Sequence, residues 1–299
     1  MKNLILKFFL IIFFTISSSF ASNYPSVPND IDLEKRTFCD KSGKQFGHVI
    51  ILLDVTSKVE KAQIDFIRDQ VFSDEFYLSR EPFTKFSYLL IDKNRPQEQK
   101  FVFSKCRPKS GKNDPKIEKA SWTENEKILM KFYSDFTKDA SKAHDQIYKS
   151  EFTSNYSLIY ETIAYVFQNP VFQFSKNVGK RELIIVSDMM QYSQRLDFYR
   201  ACNANSSNAK CPTFQDFMKN LSDKDYLTAT APNGEGVNLK MIYLNHRYET
   251  NKEIDKTLIE LWKNYFVDRG FQKVDILRQL DIAAPQLGTS PQSKSNQKP

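Results

Sequence analysis

Two apolar runs of this chain end in carboxylates. Residues 51–58 read ILLDVTSK, which leaves Asp54 and Thr56 at the end of the first run. Residues 183–190 read LIIVSDMM, which leaves Ser187 and Asp188 at the end of the second. Between them Ser157 opens the stretch SLIYETI. A short hydroxyl side chain at a helix start is ordinarily an N-cap. In an open sheet of alternating strands and helices, ligands bind beyond the carboxyl ends of the strands, where strand order reverses. Acids and hydroxyls at two strand ends therefore mark an oxygen-lined candidate site.

The remaining chemistry is sparse. His48, His144 and His246 are scattered, and a lone strand histidine such as His48 is usually structural. There is no G-x-S-x-G elbow, and 8 Gly in all supply neither a P-loop nor a G-x-G-x-x-G turn. The pair Asp74-Glu75 lies in a charged surface context. Trp262, Tyr265 and Phe266 read as core, and Asn155-Tyr-Ser157 matches a glycosylation acceptor that matters only in a eukaryotic secretory route. No residue recommends itself as a catalyst, so a non-enzymatic protein is expected.

The elements that would position the acids follow from hydrophobic patterning. The chain has 299 residues, 40% hydrophobic, 14% aromatic and 26% charged, which suits a folded protein and excludes a disordered or multi-spanning one. Residues 48–53, 183–186 and 239–244 are apolar on both faces, as central strands of a covered parallel sheet must be. Residues 86–91 form another strand, with a shorter partner at 100–104 beyond a polar turn. Helices are expected over 59–72, over 122–148 with Ile128, Phe132, Phe136 and Ala140 on one stripe, over 158–167 and over 254–267. Apolar strands alternating with helices mean an α/β fold with a doubly wound sheet.

The acid-bearing segments carry a resemblance. A buried strand ending D-x-[ST]-x-[ST], a helix start of the form SLIYETI and a later strand ending in Asp resemble a von Willebrand factor type A domain. FSKC, SLIYETI, VSDMMQ and LWKNYFVDRGF are similar to stretches in a group of bacterial proteins with this domain. The resemblance covers about residues 46–270. It implies a mostly parallel Rossmann-like sheet with one antiparallel edge strand and helices on both faces. It also implies a metal-ion-dependent adhesion site. By position, Asp54 and Thr56 match its first motif, Ser157 its second and Asp188 its third.

Such a set suits Mg²⁺ or Mn²⁺, because a small hard cation seeks oxygen ligands and keeps several waters. An acidic group from a protein partner can then complete the shell. Lys58 departs from the pattern, standing where a second hydroxyl is expected, and an ammonium cannot ligate a cation. Pointing inward, it would replace the metal and bridge Asp54 to Asp188; pointing outward, it would leave Ser57 or a water to fill the gap. Met189 stands where the commonest pattern has Gly. The alternatives to a protein-binding module are a structural component of an envelope assembly with a dead metal site, and a hydrolase using metal-bound water.

Compartment and boundaries complete the reading. Residues 1–21 have Lys2 and Lys7, an apolar run and a small-residue end, the features of a signal peptide, so a periplasmic or secreted protein is expected. An even count of four cysteines then fits two disulfides. Cys202 and Cys211 flank a short loop and are the natural local pair, which leaves Cys39 with Cys106; two other connectivities remain open. The formal charge of +7 is spread with both signs interspersed and argues against nucleic-acid binding. An irregular arm spans 22–45, the domain 46–270, and a polar tail 271–299.

Overall fold

The computed structural model describes residues 36–40, 46–92, 101–111, 113–116, 125–149, 156–168, 179–194, 196–202, 211, 213–215, 233–244 and 252–279. The expected signal peptide, most of the arm, the loop between Cys202 and Cys211, and His246 lie outside these residues.

Among the described residues the strands are β1 (Gly47–Asp54), β2 (Thr84–Ile91), β3 (Phe103–Cys106), β4 (Lys180–Ser187), β5 (Val237–Tyr243) and β6 (Lys273–Arg278). They form one sheet in the order β3-β2-β1-β4-β5-β6. All neighbours are parallel except β3, which runs antiparallel to β2 at the edge. The helices are α1 (Lys61–Val71), α2 (Asp74–Leu78), α3 (Glu126–Lys149), α4 (Ile159–Gln168), α5 (Phe198–Ala201) and α6 (Lys252–Asp268). Strand numbers fall to β1 and rise again from β4, so strand order reverses between those two.

The sheet is covered on both faces, which explains the continuous apolar runs. Every residue of β1 is buried. Its alternate residues serve opposite layers, since side chains on a strand point to opposite faces. Ile50 and Leu52 join Leu183, Ile185, Leu239 and Met241 beneath α4 and α6, where Trp262, Tyr265 and Phe266 are packed. Val49, Ile51 and Leu53 join Ile184, Val186, Phe86 and Tyr88 beneath α1, α2 and α3, with Phe136 and Ala140.

Disulfides link Cys39 to Cys106 and Cys202 to Cys211. The first ties the arm to β3, where the Cys106 N–H also donates to the Thr37 carbonyl at 2.8 Å. Just beyond β3, a fully buried Arg107 guanidinium holds Asp114 in two hydrogen bonds of 2.6 and 3.0 Å and also donates to the Arg80 carbonyl.

Two expectations need correction. The sheet continues past Gly270 into β6, so a polar tail starting at 271 is too early. Lys273 and Asp275 face solvent and pair with each other, while Val274 and Ile276 pack on the core, the alternation of a half-exposed edge strand. In α3 the buried stripe is Phe136, Ala140, Ala143, His144 and Ile147, and Ile128 is 49% exposed. Residues 122–124 of the expected span lie outside the described residues, and the first turn from Glu126 lies off the core.

Candidate functional site

The site is built around the last residue of β1. Leu53 pairs with Val186 in register, so Asp54 lies across from Ser187 at the ends of two adjacent strands. Asp54 is 9% exposed, and its carboxylate is surrounded by donors. Oδ1 accepts from the Thr56 backbone N–H at 3.0 Å and from the Thr56 hydroxyl at 2.6 Å. Oδ2 accepts from the hydroxyls of Ser157 at 3.1 Å and Ser187 at 2.7 Å. Three distant stretches of chain therefore converge on one carboxylate.

Ser157 is held there by backbone. It exchanges two hydrogen bonds of 2.9 Å with Tyr192, in the loop that follows β4. Its hydroxyl reaches Asp54 and does not cap α4, contrary to the N-cap expectation. Gln191 does that work: its side-chain oxygen accepts the Tyr160 N–H at 2.7 Å, and its amide donates to Glu161 at 2.9 Å.

Asp188 follows Ser187 and is half-buried. Its Oδ1 accepts the Met190 N–H at 3.0 Å, while the Ser187 hydroxyl accepts the Met189 N–H at 2.8 Å. Met189 adopts the left-handed conformation, φ 59°, and is fully buried. That conformation is costly for a residue with a Cβ. The surrounding packing enforces it, as the Trp262 indole N–H donates to the Met189 carbonyl at 2.9 Å.

Burial dominates the electrostatics of the two acids. Burial pushes the Asp54 carboxyl above its usual range, although the Thr56, Ser187 and Ser157 donors oppose the shift. Burial, then the charge of Asp54 and that of Asp255, pushes Asp188 up to about 7 against the pull of the Met190 N–H. Asp255, from α6, accepts a 2.7 Å hydrogen bond from Tyr243.

Lys58 and Ser57 are both exposed. The side-chain donors on Asp54 are the Thr56, Ser157 and Ser187 hydroxyls, and the loop residue Lys58 lies at the surface. Ser187 is the site residue that sequence reasoning passed over as a ligand-shell member. Its signal was available, because two parallel runs both ending at an acid or hydroxyl become neighbours once strand order is known. Among the described residues, no group of three or more His, Cys, Asp or Glu side chains is arranged to hold a metal. The oxygen set here is mostly hydroxyl. His48 lies at the start of β1, six residues before Asp54, and bonds Ser87 at 3.0 Å.

No protein-family model matches the chain, and no curated protein matches it in sequence. Solved structures similar to it include the ArnB paralog VWA2 from Sulfolobus acidocaldarius, at 12% identity and TM-score 0.35, over 78% of this chain and 42% of that one. Proximal thread matrix protein 1 from the mussel byssus, with a zinc-occupied MIDAS motif, is similar at 14% identity and TM-score 0.34, over 81% and 45%. A von Willebrand factor type A protein from Catenulispora acidiphila is similar at 8% identity and TM-score 0.34, over 75% and 42%. The chain spans less than half the length of each. Its own topology, six strands with one antiparallel edge and helices on both faces, makes the chain an α/β protein with a mostly parallel, doubly wound sheet.

Proposed function

We propose that this chain is an exported, non-enzymatic protein-binding module that engages its partner at the carboxyl end of the sheet through a divalent cation. The observation that carries the reading is the convergence of the Thr56, Ser157 and Ser187 hydroxyls on the Asp54 carboxylate. Each hydroxyl has one proton and two lone pairs, so a proton committed to Asp54 leaves the oxygen able to face a cation. All the donors are hard oxygens, the preference of Mg²⁺ and Mn²⁺. The buried Asp54 and half-buried Asp188 carboxylates, both held above their usual range, would also gain from a nearby positive charge.

The residues present thus fit such an ion, with Thr56, Ser157 and Asp188 as ligands and Asp54 orienting the hydroxyls. When bound, the cation would supply a Lewis-acidic contact for a partner's carboxylate. The groups bonded to Asp54 are the Thr56 N–H and three hydroxyls, a hard-oxygen setting that supports the binding reading. Export is supported by two disulfides, the usual mark of an oxidising compartment. Among the described residues no helix is long and apolar enough to cross a membrane. Titration calorimetry with Mg²⁺ and Mn²⁺ tests the reading. Saturable heat that is lost in Asp54→Ala is expected; heat unchanged by that substitution, or none at all, refutes it.

A further inference from the structure

The edge strand β3 and the helix α3 frame a groove at the side of the sheet, two strands away from β1. Two adjoining cavities of about 300 and 560 Å³ share Asp139, Lys142 and Gln146, so they form one groove along the helix. Phe103, Ser104 and Lys105 of β3 make one wall, and α3 makes the other.

The charge of this groove is basic. Lys105 crosses it to Asp139 at 2.6 Å and matches that acid. Lys138, Lys142 and Lys149 line it from exposed positions, against one further acid, Asp145. Their spacing keeps the three on one face of the helix. Among the described residues none of these three lysines is in an ion pair or hydrogen bond.

The strand wall adds main-chain groups. The Arg107 N–H donates to the Thr84 carbonyl at 2.9 Å on the β2 side, whereas the Cys106 N–H turns away from β2 to the Thr37 carbonyl at 2.8 Å. Backbone direction alternates along a strand, so Ser104 follows Cys106 and turns its N–H and C=O to the outer edge. An edge with outward N–H and C=O groups is a template for another extended chain.

We propose that the groove between β3 and α3 is a second binding surface, which takes an extended acidic segment of a partner protein as an added strand. The segment's main chain pairs with Ser104, and its carboxylates meet Lys138, Lys142 and Lys149. In this mode main-chain hydrogen bonds supply affinity and alternate side chains supply specificity. Charge complementarity selects an acidic occupant, because the three lysines face a single acid that Lys105 does not match. The inference is independent of the cation reading, since the groove shares no residue with the Asp54 site.

The test is fluorescence anisotropy in EDTA with three labelled decapeptides, in which valine alternates with glutamate, glutamine or lysine. The glutamate peptide should bind about fivefold more tightly than the glutamine peptide, the scale of two exposed ion pairs, and the lysine peptide should bind most weakly. Lys142→Glu should erase the glutamate preference. Ser104→Pro removes the outward N–H and should weaken both of the tighter peptides by about fivefold, the scale of one hydrogen bond. Proline is tolerated where an edge N–H faces outward, and the thermal midpoint checks that both variants fold. No glutamate preference, or one that survives Lys142→Glu, overturns the inference. So does binding seen only with Mg²⁺ present, which would belong to the Asp54 site. Binding that emerges only when residues 22–35 are deleted overturns it as well, because the chain's own arm would then be the occupant.

Discussion

Replacing Met189 with glycine sets two effects against each other. Glycine would remove the cost of a left-handed backbone, about 1–2 kcal/mol for a residue with a Cβ. It would also delete a fully buried side chain in the layer beneath α4 and α6. Truncating a buried methionine costs about 2–5 kcal/mol, and glycine adds roughly 0.5–1 kcal/mol of backbone entropy. The core loss wins, so Met189→Gly should destabilise by about 2 kcal/mol, equivalent to a fall in Tm of roughly 4–8 °C for a domain of this size. Met189→Ala loses the side chain and keeps the backbone cost, so it should be the less stable of the two by about 1 kcal/mol. Urea denaturation of the three proteins gives the ranking directly. A glycine variant as stable as the unsubstituted protein would refute the claim that core packing enforces this turn. An alanine variant more stable than glycine would refute the left-handed conformation itself.

Further expectations concern other parts of the molecule. The buried Arg107–Asp114 pair should cost about 3–5 kcal/mol when broken by Asp114→Ala, because an unpaired guanidinium would remain in the core; denaturant midpoints measure it. Burial tends to raise the Asp114 carboxyl, but Arg107 and the Ser110 and Lys116 N–H groups outweigh it and hold the group below the usual range. A depressed folded-state value contributes stability that is present above the ordinary carboxylate pKa and is lost as pH falls through the folded one. An Asp114→Asn variant should therefore show a flatter loss of stability below pH 4 than the unsubstituted protein, read from Tm against pH. Lys58→Ser should raise cation affinity by restoring a hydroxyl to the first motif, and an unchanged or weaker calorimetric affinity would contradict that. Replacing Cys39 and Cys106 by serine opens a crosslink spanning 67 residues and should cost on the order of 4 kcal/mol by loop entropy, checked by thermal unfolding.

Much of this fold is legible without coordinates, for a physical reason. Strands buried on both faces, such as β1 and β4, must be apolar throughout, and their ends stand out as the first acid or hydroxyl. The edge strand β6 is harder to see because only alternate residues are buried, so KVDILR carries three charges in six positions. Ile128 misleads because its spacing fits the helical stripe while the start of α3 lies off the core. The positions of Asp54, Thr56, Ser157 and Asp188 follow from strand and helix ends. Ser187 does not, since its role depends on β4 lying next to β1. The direction of Lys58 depends on a loop, where side-chain pattern carries no period to read.

The most direct test is anomalous diffraction at the manganese edge from crystals grown with Mn²⁺. Cation binding at this site requires a peak bounded by Thr56, Ser157 and Asp188, next to Asp54, that disappears in Asp54→Ala crystals grown the same way. A well-ordered pocket with no peak at saturating Mn²⁺, or a peak only elsewhere on the molecule, would contradict it.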